Sequence, residues 1–197
     1  MRVAVLIDGS NLLGALGRAD LGYPALAPLL ESIRDGDQLF TARFYGAPPP
    51  HPVWRARFQQ FLDANRHLDM DFFLGYRSKR TGEEKAIDVA LAIDLLDGAH
   101  RQEFDHAAVV GGDGDHTYAF HVTKRVAPVR VHLIPGQPRS GLSAARIAYR
   151  LWTADELVAA GICDRGASVP VPRAHSAPVG SSQVARLLEG ALGTPVS

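Results

Sequence analysis

Residues 3–7 read Val-Ala-Val-Leu-Ile, an apolar run that stops at Asp8-Gly9. A strand built from such a run has no polar face. It needs apolar cover on both sides, and the interior of a parallel sheet supplies that. A parallel sheet in turn requires a crossover after each strand, normally a helix. The first nine residues therefore direct the chain toward alternating strands and helices.

The rest of the pattern agrees. Apolar runs at 39–45, 72–74, 107–110 and 129–134 read as further strands, with 149–152 as a weaker sixth. Between them lie helical patterns. Pro24 is expected at the first helical position of a segment over 25–33, and Pro52 at the same position before 53–62. There Trp54, Phe58, Phe61 and Leu62 share one helical stripe. Residues 85–96 are free of Gly and Pro, and the helix predicted there ends at Gly98. Another helix is predicted over 116–125. Thr153 and Glu156 have the spacing of a capping box that opens a short helix toward Ala160. Strands alternating with helices imply right-handed crossovers around a central, mostly parallel sheet with helices on both faces.

One domain over residues 1–164 is expected. From 165 the composition turns rich in Pro, Ser and Ala, which reads as a linker over 166–180 followed by a short helix at 182–192. Lys+Arg and Asp+Glu both number 21, so no global field draws the chain to nucleic acid or membrane; an RNA partner would need a local basic patch. A single cysteine excludes an internal disulfide and a two-cysteine zinc site. The apolar run at the N-terminus is too short for a membrane span or signal peptide, so a cytoplasmic protein is expected. A homo-oligomer, or a protein partner reached through the tail, is left open.

Ligands of open parallel sheets bind beyond the carboxyl ends of the strands. Asp8 stands at that place after the first strand, and Asp113 and Asp115 stand there after 107–110, each among glycines that permit tight turns. Carboxylates gathered without bases repel one another and are relieved by a cation. Oxygen ligands alone point to Mg²⁺ or Mn²⁺. For Asp113 and Asp115 a turn-capping role stands beside the ligand role. Asp88 is the third element: with Lys85 three residues earlier it would share the first turn of a helix, as a surface ion pair or as a metal-facing carboxylate with a supporting lysine. Asp94, about 120° around that helix, reads as partly buried and hydrogen-bonded.

Three motifs now resemble the NYN domain, the LabA-like branch of the PIN-like nucleases. The sequence IDGSN at 7–11 is similar to that family's strand followed by D-x-x-N. KAIDVALAID at 85–94 is similar to its K-x-x-D-V helix, with a second Asp six residues on. VVGGDGDHTY at 109–118 is similar to its S-G-D-x-D-F turn. The resemblance implies a three-layer PIN-like fold and a metal-dependent ribonuclease site. Asp8, Asp88, Asp113 and Asp115 match the acidic positions, Asn11 the supporting amide, and Lys85 and Asp94 further supports. It also implies cleavage that leaves a 5′-phosphate and a 3′-hydroxyl. Two positions depart from it: Gly111 stands where a serine is usual, and His116 where an aromatic is usual. His116 is read first as a solvated histidine, with an effect on substrate choice as the alternative.

For RNA, Arg77, Lys79, Arg80 and Lys85 form the best local basic segment, diluted by Glu83 and Glu84, and Tyr45, Tyr76 and Tyr118 are candidates for base stacking. The rival from another class is a non-catalytic module that binds RNA or nucleotides in the same cleft. A phosphatase of the haloacid-dehalogenase kind would need a second Asp two residues after the first, where this chain has Ser10. A dinucleotide enzyme would need G-x-G-x-x-G after the first strand, which IDGSNLLG does not supply.

Overall fold

The computed structural model describes residues 1–78, 80 and 84–166. Strand β1 (Arg2–Asp8) leads into helices α1 (Gly9–Arg18) and α2 (Leu26–Arg34), and β2 (Gln38–Gly46) into α3 (Pro52–Asn65). After β3 (Asp71–Leu74) comes a short antiparallel ribbon of β4 (Tyr76–Arg77) and β5 (Glu84–Lys85), then α4 (Ile87–His100). The chain continues through β6 (His106–Val110), a 3-10 turn (Gly114–His116), α5 (Thr117–Thr123), β7 (Val129–Leu133), α6 (Ser140–Ala144), β8 (Ala148–Leu151) and α7 (Ala154–Ala159).

Six strands form one sheet in the order β3-β2-β1-β6-β7-β8, with every pairing parallel. All six apolar runs of the sequence are in it. The order reverses direction between β1 and β6. One half of the chain builds outward from β1 toward β3 and the other from β6 toward β8. The connections leave those two strand ends in opposite directions, opening the crevice where open α/β sheets bind ligands.

The alternation of a strand splits the core in two. Val3, Val5 and Ile7 of β1 face a cluster with Leu12, Leu16, Leu29, Phe44, Phe58 and Phe61, from β2 and helices α1 to α3. Ala4 and Leu6 face the opposite cluster, with Leu91 and Leu95 of α4, Phe120 of α5, and Val109. Each fully buried Leu or Ile contributes about 1.5–3 kcal/mol. With both of its faces buried, β1 ties the two layers together. By the same alternation Asp8 lies on the α4 side.

Several local expectations change. Helix α1 is not among the helices the sequence pattern predicts, because Gly9, Gly14 and Gly17 lower its helical propensity. It forms because Asp8 caps it, accepting from Asn11 N, and because Leu12, Leu13 and Leu16 are buried. Helix α4 begins at Ile87, not Lys85. Ala86 takes φ 72°, which separates the ribbon from the helix, so Lys85 lies in β5 and does not share a helical turn with Asp88. Gly98 does not end α4. It is buried within the helix, where a Cβ would come 2.6 Å from the Phe104 ring. Pro24 precedes the cap residue Ala25 and is not the first helical residue, whereas Pro52 does open α3. Thr153 and Glu156 complete a reciprocal capping box. The segment 167–197, with the expected helix at 182–192, lies outside the described residues. Among the described residues no helix is long and apolar enough to cross a membrane.

Candidate metal centre

Asp8 is the last residue of β1 and is only 2% exposed. One carboxylate oxygen, Oδ1, accepts the Asn11 amide 3.0 Å away and so caps α1. The other, Oδ2, lies 3.4 Å from Nε2 of His116, which is 3.6 Å from Oδ1 of Asp88. One ligand atom from each of Asp8, Asp88 and His116 lies within 4.8 Å of the others, a group able to hold a metal ion. Asp88 comes from the first turn of α4, and its side chain is 59% exposed, so the group opens to solvent on that side.

The electrostatics follow from this crowding. Partial burial raises the Asp88 carboxyl above its usual range; His116 pulls it back, and Asp8, Asp113 and Asp115 push it up again. Burial alone would lower the His116 imidazole. The Asp8 carboxylate 3.4 Å away, with the charges of Asp88 and Asp113, outweighs it and raises the imidazole above its usual value.

The expected carboxylates thus divide. Asp8 and Asp88 come together, on facing elements. Asp113 and Asp115 are on the adjoining turn, close enough to act on the Asp88 charge but outside the three-residue group. Asp113 also does what turn acids do: its Oδ1 accepts Asp115 N at 3.0 Å and caps the 3-10 turn. Gly111 takes φ 144°, and a Cβ on it would come 2.9 Å from the Asp8 Cβ. A serine on this backbone would press on Asp8, which is the physical meaning of the glycine found there.

Asn11 supports the site through its side chain. Its Oδ1 accepts the Gly112 amide at 2.9 Å and also a hydrogen bond from Gln137 Nε2. Gln137 Oε1 accepts Ile134 N at 2.7 Å, so the ends of β1, β6 and β7 are joined by one side-chain chain. No pattern in the sequence singled out Gln137, although a strand end beside the crevice was the place to look.

Other assignments are corrected. His116 is not solvated. It is 2% exposed, packed against Phe120 one helical turn on, with ring centroids 5.9 Å apart. The three-residue group that could hold an ion therefore contains a ring nitrogen beside the expected carboxylate oxygens. Asp94 is half-buried and hydrogen-bonded as expected, to Arg43 at 2.5 Å and to the Tyr45 hydroxyl at 2.7 Å, and is not one of the three grouped residues. Tyr45 is fully buried and has no face for a base, whereas Tyr76 and Tyr118 are exposed. Arg77 pairs with Glu84 and donates to Pro48 O at 3.0 Å; Glu84 also accepts from Ser10. Arg77 thereby fastens the ribbon beside α1. Arg80 is exposed, and Lys79 lies outside the described residues.

A model of the NYN domain family matches residues 2–147, which takes in β1 and β6, the 3-10 turn and Asp88. Among solved structures, a protein of unknown function from Vibrio parahaemolyticus superposes with a TM-score of 0.65 at 20% identity, over 78% of this chain and 94% of that chain. At that identity the likeness concerns the fold. No curated protein matches.

Proposed function

The chain belongs to the NYN domain family, and from that premise we propose that it is a divalent-metal-dependent ribonuclease of the LabA-like branch. One observation carries the reading: Asp8, Asp88 and His116, from three separate elements, converge at the crevice where the strand order reverses. Carboxylates brought together there with one side open to solvent suit a cation that also meets substrate phosphate.

The site fits Mg²⁺ or Mn²⁺. Asp8 and Asp88 would hold the ion, with Asp113 and Asp115 adding charge from the adjoining turn. A divalent ion held there would supply Lewis-acid polarisation of a phosphodiester and activation of water at neutral pH, chemistry that would leave a 5′-phosphate and a 3′-hydroxyl. The chain's own part is positional. Capping of α1 fixes one Asp8 oxygen, and the Asn11–Gln137 link fixes the turn that carries Asp113. Arg80, with Tyr76 and Tyr118 as stacking faces, is the part of the surface best suited to single-stranded RNA; Arg77 serves the ribbon instead.

The test is cleavage of single-stranded RNA by purified protein with Mn²⁺ or Mg²⁺. Asp8→Asn keeps the oxygen that caps α1 but loses the charge, and the rate is expected to fall by orders of magnitude. A contaminating nuclease would not respond to that substitution. Wild-type protein that binds RNA and leaves it intact with both ions would replace this reading with a non-catalytic RNA-binding module.

A further inference from the structure

The imidazole of His116 stands where the family turn usually has an aromatic, and it does more than fill that space. Its side chain is 2% exposed, and its Nε2 is buried without a hydrogen-bond partner. That nitrogen points between two carboxylates, 3.4 Å from Asp8 Oδ2 and 3.6 Å from Asp88 Oδ1. A buried polar atom with no partner is rare in a folded protein and calls for a reason. Packing against Phe120 would be served equally by phenylalanine, which has no atom to leave unsatisfied.

Ligand atoms on one ion, each about 2.0–2.2 Å from it, lie roughly 3–4.4 Å apart. The 3.4 and 3.6 Å separations fall inside that range, and the whole group spans no more than 4.8 Å. We propose that His116 Nε2 is a direct metal ligand beside Asp8 and Asp88, and that this nitrogen makes the site select Mn²⁺-class transition ions over Mg²⁺. The reason is ligand chemistry. Mg²⁺ takes oxygen donors and keeps its waters, whereas imidazole is a good donor to first-row transition ions. The proposal rests on the metal-site part of the functional reading and needs no RNA cleavage.

The experiment uses the full chain with Mn²⁺ alone. Electron spin-echo spectroscopy of the bound ion reports nitrogen directly coordinated to it, and wild-type protein is expected to show one imidazole nitrogen. His116→Phe restores the family aromatic against Phe120. It is expected to lose that signal while still binding Mn²⁺, and its preference for Mn²⁺ over Mg²⁺, from competition titrations, should fall about tenfold or more. The wild-type spectrum decides the matter even if the variant does not fold. Bound Mn²⁺ with oxygen ligands alone overturns the proposal and leaves the metal site standing. Failure of Mn²⁺ to bind overturns both. A nitrogen signal from a protein that cuts no RNA keeps the proposal and removes the ribonuclease.

Discussion

Replacing Asn11 with alanine cuts the side-chain link between the two halves of the sheet. The Asn11 oxygen accepts the Gly112 amide at 2.9 Å and also receives the Gln137 amide. Gly112 is buried, so its N–H would be left without an acceptor, at about 1–3 kcal/mol. Gln137 is 8% exposed and would keep only a long contact to the residue 11 carbonyl at 3.5 Å, so loss of the side-chain acceptor adds up to about 1 kcal/mol. The expected destabilisation is about 1–4 kcal/mol, or roughly 2–16 °C in Tm for a chain of this size. Urea unfolding with an unchanged m-value is the assay, run as a cycle with Gln137→Ala and the double variant. Partners in one network should show a coupling of at least about 0.5 kcal/mol. The Asn11 variant should also bind Mn²⁺ more weakly, because the turn carrying Asp113 and His116 is no longer fixed against α1. A loss under about 0.5 kcal/mol, or additivity of the two substitutions, would refute the idea that this link holds the site.

Three further outcomes are expected. His132 is 3% exposed, and burial together with the charges of Arg150 and Arg130 lowers its imidazole to about 4. Because the unfolded chain takes up that proton near pH 6.5 and the folded chain only near 4, stability is full above pH 6.5. It should decline by about 3 kcal/mol as pH falls to 4, then level off as far as this group is concerned. His132→Asn should flatten that slope in urea titrations at several pH values, and an unaltered slope would place its origin elsewhere. Gly9→Ala improves helix propensity by about 1 kcal/mol, but the new Cβ would lie 2.0 Å from the fully buried Phe44 ring, so net destabilisation is expected and a more stable variant would contradict the packing. Asp113→Asn keeps an oxygen to cap the 3-10 turn, so metal-free stability should stay within about 0.5 kcal/mol while the Mn²⁺-induced rise in Tm shrinks; an equal rise would remove Asp113 from the metal's surroundings.

What the sequence determined by itself was local in origin. Each apolar run, from 3–7 to 149–152, marked a strand, because a strand buried on both faces leaves no place for polar residues. The same residues marked Asp8 as the end of β1, and the spacing of Thr153 and Glu156 marked the start of α7. Short-range signals failed where tertiary contacts compete with them. Helix α1 is rich in glycine and is stabilised by packing, and Lys85 is drawn into the ribbon with Tyr76. The tertiary structure alone decided that β1 lies beside β6, that α4 brings Asp88 to the Asp8 side, and that His116 is buried between them. It also decided the Asn11 contacts, made to partners 101 and 126 positions away. The physical reason is the exclusion of water. A histidine in a glycine- and aspartate-rich turn reads as solvated until segments distant in sequence close over it. Only then do its nitrogen and the two carboxylates share one small space.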